Sequence, residues 1–218
     1  MSFFLKELKF TGSRSTRFRA DNHLLIALSV SALLIFMVQA QETVTLTNYG
    51  NILRGLNFFQ LGLIYLVNGA AVVATQGPFY KVTKLIGNYM SYAIGTFIYT
   101  AGFLSYAFDT TLTGMLISTL ILTIGEDLAF PSGSAMVSLV SKPENIGRNM
   151  GIYNGFISVG RACGPLIGGM ALFLTSVPVL IWSVATATGF ISMVFFIHVF
   201  RNVPGIEENM QGERGSDY

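Results

Sequence analysis

The sequence predicts an all-α polytopic membrane protein, and three observations carry that class. Hydrophobic residues make up 52% of the 218-residue chain and charged residues only 11%, with a mean hydropathy of +0.59. Soluble domains hold about 25% charged residues. The apolar stretches run to about 20 residues, enough to cross a hydrocarbon core of about 30 Å as helix, whereas barrel strands alternate over about ten. Finally, Lys and Arg gather in alternate connecting segments. The lone Cys163 excludes an intrachain disulfide or a CxxC site, and His23 and His198 stand at opposite ends without zinc or haem spacing. No metal, cofactor or nucleic-acid partner is expected.

Residues 1–22 form a basic segment carrying Lys6, Lys9, Arg14, Arg17 and Arg19. Its Phe3, Phe4, Leu5 and Leu8 suit a short helix in the headgroup region; a basic tail without structure fits the same residues. MSFFLKELKF lacks an apolar core of about 7 to 15 residues, so no cleaved signal peptide is expected. Six hydrophobic spans then make a transmembrane domain over 23–200. The first covers about 23–48 and turns polar late, through Gln39, Gln41 and Glu42. The second covers 58–78 and the third 89–107. The fourth, 110–140, is interrupted by Pro131. The fifth covers 149–174, and the sixth runs from Pro178, a helix-starting proline, to Phe200. A polar tail, 201–218, ends the chain.

The cations orient these spans. The basic segment, Lys81 and Lys84, Lys142 and Arg148, and Arg201 and Arg214 place eleven Lys or Arg on one side, against Arg54 alone on the other. The positive-inside rule therefore puts both termini in the cytoplasm, which suits a cell-membrane protein with an even number of spans.

Charge also lies where the bilayer is driest. Glu126 and Asp127 interrupt the fourth span and Arg161 the fifth. Two acids cost about 6 kcal/mol on the insertion scale, against about 4 to 5 kcal/mol from the nine Leu, Ile and Phe residues between Leu112 and Phe130. Such a span relies on its neighbours. Counted from one membrane face, Glu126 and Arg161 lie about 16 and 13 residues deep, a mismatch of about 5 Å, so an ion pair between them is geometrically possible. It would serve either as a structural bridge or in coupling and substrate handling. Adjacent helical residues project about 100° apart, so only one acid can face the arginine squarely; depth favours Glu126, with Asp127 turned to a cavity or another helix.

The fifth span repeats small residues every four positions at Gly151 and Gly155, then Gly160, Gly164 and Gly168. Such a face lets another backbone approach; Pro165 adds a point of bending, and static packing explains the glycines equally well. Pro131 falls one turn beyond the two acids, and interrupted helices commonly line transporter sites. Gln39, Glu42, Asn68 and Tyr153 add polar groups to a cavity walled by Phe, Met and Leu, or satisfy interhelical hydrogen bonds. The halves echo each other faintly: Asn68-Gly69 precedes Gly77-Pro78 in the second span, as Asn154-Gly155 precedes Gly164-Pro165 in the fifth. A three-plus-three inverted repeat has this form.

Three segments resemble the major facilitator superfamily, within it the C-terminal six-helix half of a multidrug-type proton antiporter. GPFYKVTKLIG looks like the basic loop motif between the second and third spans of a half, keeping Gly77, Lys81, Lys84 and Gly87 but lacking the aspartate of the stronger copy. IGEDLAFPSGSAMVSLV and GRNMGIYNG resemble the family's tenth helix and the loop entering its eleventh. GRACGPLIGG has the GxxxGPxxGG form of the antiporter motif, displaced from the fifth helix to its pseudo-equivalent. The likeness extends over roughly residues 24–200. It implies alternating-access efflux of small lipophilic compounds, coupled to protons through Glu126, Asp127 and Arg161, with residues 1–22 as the linker between halves. It also implies a second six-helix half, either the missing N-terminal half, a partner chain or a second copy. Other readings of the residues are a six-span permease subunit of an ATP-driven transporter and a non-transporting scaffold. A serine protease using Ser132 or Ser134 with His198 lacks GxSG and leaves Arg161 idle. No enzymatic activity is expected.

Overall fold

A computed structural model describes residues 22–201 and Val203, so all but the last residue of the basic segment, and nearly all of the polar tail, lie outside the described residues. Among the described residues there is helix and turn but no strand. Helix α1 spans Asn22–Asn48 and continues into a π-helical turn, Tyr49–Leu53. Helix α2 spans Phe58–Ser105, α3 Leu112–Leu139, α4 Ile146–Leu174 after a 3-10 turn at Pro143–Asn145, and α5 Pro178–Phe200. These five are long and apolar enough to cross a membrane.

Local chemistry sets their ends. Asn57 caps α2 reciprocally with Gln60: the Gln60 amide donates to Asn57 Oδ1 and the Asn57 amide to Gln60 Oε1, both at 2.9 Å. The Thr111 hydroxyl accepts from the Gly114 amide at 3.2 Å at the start of α3. Proline occupies the first turn of α5, where its missing N–H costs nothing.

Helix α2 departs from the expectation of two spans separated by a loop. Its 48 residues would extend about 72 Å, more than twice a hydrocarbon core. Residues 77–86 are helical, so Gly77, Lys81 and Lys84 sit on helix rather than in a loop. Helical geometry fails at Gly87 alone (φ 82°, ψ 159°). Pro78 removes one backbone bond without stopping the helix, whereas a conformation at positive φ and extended ψ is open almost only to glycine.

The contacts on α3 show what Gly87 achieves. From the arm before it, Asn68 reaches Thr123 and Thr75 reaches Asp127, ascending together with α3. From the arm after it, Gly102 lies on Leu122 and Gly95 on Gly125 and Ala129, in descending order. The two arms are therefore antiparallel to one another, and both pack on α3. The second arm also runs antiparallel to α5, with Phe103 beside Trp182 (5.8 Å between ring centroids) and Tyr92 beside Phe196 (4.4 Å).

Helices α1 and α4 run parallel in close contact. A Cβ on Gly160 or Gly164 would strike the carbonyl of Leu33 or Met37, and one on Gly168 would strike Thr45. Gly151 and Gly155 meet nothing and are exposed, so only the second half of the glycine series packs. At one end of the bundle, Tyr49, Phe103, Tyr106 and Trp182 form a buried aromatic cluster.

Candidate functional site

The polar side chains of α1, α2 and α3 meet midway along the bundle. Asn68 donates from Nδ2 to Thr123 Oγ1 (3.0 Å) and, at the long limit, to Glu126 Oε2 (3.5 Å). Asp127, buried, accepts from the Thr75 hydroxyl, which also lies 2.7 Å from the Ala71 carbonyl. Both acids of α3 thus face the first arm of α2. Thr75 has one proton for two acceptors.

Arg161 does not pair with Glu126, and the expected ion pair is corrected accordingly. Its Nε donates to Gln39 Oε1 (3.2 Å) and its guanidinium lies 4.9 Å above the Phe36 ring. The reason is packing: α4 lies against α1, so residues of α1 reach the arginine first. Phe36 in turn packs on Phe130 of α3, with centroids 4.5 Å apart, which links the arginine to the helix of the acids through two rings. Arg161 is exposed, and its terminal nitrogens are left free for other partners.

Glu42 is buried on α1, where its backbone carbonyl accepts from the Tyr65 hydroxyl at 2.8 Å. Its carboxylate lies within electrostatic range of Glu126, and Arg161 lies within that range of Glu126 as well. The sequence offered no reason to choose Tyr99, yet Glu42, Glu126 and Arg161 all act on it. It is wholly buried, its hydroxyl has no hydrogen-bond partner, and its ring packs edge-on against Phe130 at 5.3 Å. Of the five aromatic and polar residues in YAIGTFIYT, only the fold distinguishes this one.

Tyr153 stands elsewhere. It is buried between α4 and α3, its hydroxyl against Gly133 and close to Tyr92, so it fills a helix interface instead of lining an open cavity. Pro131 and Pro165 both lie within continuous helices. A proline lacks the N–H that would bond the carbonyl four residues earlier, which here is that of Asp127 and of Arg161. Each proline therefore frees a backbone acceptor at a charged residue of the site. Among the described residues no group of three His, Cys, Asp or Glu could hold a metal ion.

At the opposite polar cluster, Arg54 Nε donates to Tyr49 Oη (2.9 Å) and Ser118 Oγ to Asp109 Oδ2 (2.6 Å). Partial burial pushes the Asp109 carboxyl above the ordinary carboxylate range, opposed by the Ser118 hydrogen bond and the Arg54 charge.

Residues 18–215 match the sequence profile of the Major Facilitator Superfamily. The chain is 28% identical over 116 residues to an uncharacterised MFS-type transporter of Methanocaldococcus jannaschii, covering 53% of this chain and 30% of that protein. It is 26% identical over 117 residues to the riboflavin transporter RibZ of Clostridioides difficile (54% and 26%). With the uncharacterised MFS-type transporter YhjO of Bacillus subtilis it shares 27% identity over 97 residues (44% and 24%). The matched stretches thus span less than a third of these relatives.

Proposed function

This chain belongs to the Major Facilitator Superfamily of membrane transporters, and we propose that it is the C-terminal six-crossing half of a proton-coupled carrier that exports small lipophilic compounds. The carrying observation is that Glu42, Glu126 and Arg161 lie within electrostatic range of the buried Tyr99, with Asn68 on Glu126 and Thr75 on the neighbouring Asp127, inside otherwise apolar helices. The antiparallel arms on either side of Gly87 support six crossings, and the cation distribution supports cytoplasmic termini in a cell membrane. The exposed face of Arg161, Gly151 and Gly155, with the small share of each relative that is matched, supports a second six-helix half facing it.

The coupling follows from charge. Two carboxylates held near one another in a dry site repel, so a proton arriving on Glu126 or Glu42 relieves that repulsion. A proton on Asp127 would let Thr75 satisfy the Ala71 carbonyl while still accepting from the acid. Protonation of either α3 acid alters the contacts between α3 and α2, and a shift in those contacts biases the inward and outward arrangements. Arg161, tethered by Gln39 and Phe36, is left to meet the returning negative charge or an anionic part of the solute. The relative named for riboflavin, a planar aromatic solute, is compatible with a wall built from Phe36, Phe130 and Tyr99.

Reconstitution of the full-length protein in proteoliposomes tests this. An imposed pH gradient should drive solute flux, and Glu126→Gln should lower gradient-driven flux by about a hundredfold while leaving solute exchange without a gradient largely intact. Equal gradient-driven flux in the variant would remove Glu126 from coupling.

A further inference from the structure

We propose that the cavity between the starts of α1 and α4 and the end of α3 binds the phosphate of a membrane lipid whose headgroup carries a hydrogen-bond donor. It is independent of the transport site, which lies midway along the helices. The cavity encloses about 240 Å³, the share of about eight waters. Lys142 and Arg148 line it, and among the described residues no acidic one does; Glu144, in the turn between them, is not part of the wall.

Its polar partners are incompletely used. Asn149 is buried, at 6% exposure, and donates from Nδ2 to Ser141 Oγ (2.9 Å). Ser141 spends its own proton on the Val137 carbonyl (2.6 Å), so the orientation of the amide is set. Asn149 Oδ1 is then a buried acceptor without a partner. Asn145, at the cap of α4, makes no side-chain capping bond; the Ile146 amide is taken by the Pro143 carbonyl, and no side chain caps the next amides of that helix, Gly147 and Arg148.

Two cations and open amides select an anion, and a phosphate best uses several donors at once. The unpartnered acceptor asks in addition for a donor on the same ligand, such as an ethanolamine ammonium or a glycerol hydroxyl. Buried Leu25 and Val140 complete a wall that is otherwise polar. The position fits as well. Lys142 and Arg148 belong to the cation-rich side of the bundle, where basic pockets between helices meet anionic headgroups.

Native mass spectrometry of the full-length protein, with short-chain lipids added, tests the assignment. Phosphatidylethanolamine and phosphatidylglycerol should remain bound, and phosphatidylcholine, which lacks the donor, should be retained less. The pair Lys142→Gln with Arg148→Gln should weaken retention by about thirtyfold. The pair Lys81→Gln with Lys84→Gln, at the same end but outside the cavity, should leave it unchanged. Equal loss in both pairs would mean diffuse attraction and overturn the site. Undiminished retention in the first pair, or equal binding of phosphatidylcholine, would do the same. Displacement of the lipid by millimolar inorganic phosphate would overturn the lipid assignment in favour of a soluble anion.

Discussion

Arg161 and Asp109 illustrate how single residues depend on what packs beside them. Arg161 has the Glu126 carboxylate in electrostatic range but bonds to Gln39, because α4 packs closely along α1. Asp109 lies outside the spans, in the short connection from α2 to α3, where burial favours its protonated form. Its folded-state pKa is raised, so its favourable contribution is complete below the unfolded value of about 4 and is lost as pH rises through the folded value. Asp109→Asn keeps an acceptor for Ser118 and removes the titration. Thermal melts in detergent should show the variant gaining on the native chain as pH rises from 4 to 7. Parallel curves would mean that Asp109 has no such role.

Among the elements, α2 has the most to test. Its hydropathy announces apolar segments on both sides of Gly77–Gly87, and the Gly, Pro and two lysines clustered between them have the composition of a loop. A helix tolerates all of these on an exposed surface, and only Gly87 adopts backbone angles closed to other residues. Gly87→Ala should destabilise the protein by about 1 to 3 kcal/mol, whereas Gly77→Ala, in helix with open space at its Cβ, should be neutral or mildly stabilising. Chemical denaturation in mixed micelles separates the two, and equal effects would refute the assignment of the break to Gly87. The glycines of α4 carry the same lesson. Both runs have four-residue spacing, yet Gly160 and Gly164 meet α1 backbone while Gly151 and Gly155 face outward.

For the whole molecule, the number of crossings follows from whether α2 doubles back. In a Cys163→Ala background, Lys81→Cys should react with an impermeant thiol reagent from one side of the membrane, and Phe58→Cys and Phe108→Cys from the other. All three native side chains are exposed. If positions 58 and 108 react from opposite sides, α2 crosses once and the six-crossing reading fails. The same experiment orients the lipid cavity, which shares its end of the bundle with Lys81.

Membrane class, helical content, the apolar segments and the presence of buried charge were all legible in the sequence, as was the family likeness. Each is a property of a segment taken alone: span length follows from 1.5 Å per residue, and the cost of an acid in lipid does not depend on which neighbour relieves it. The tertiary structure decided who the neighbours are. It gave Arg161 to Gln39 and Phe36, gave the two α3 acids to Asn68 and Thr75, set Tyr99 among the charges and withdrew Tyr153 into an interface. Those outcomes depend on which helix lies between which others. Small residues such as Gly95, Gly125, Gly160 and Gly164 determine that by letting particular pairs of backbones approach, and the pairing emerges only when all the helices pack together.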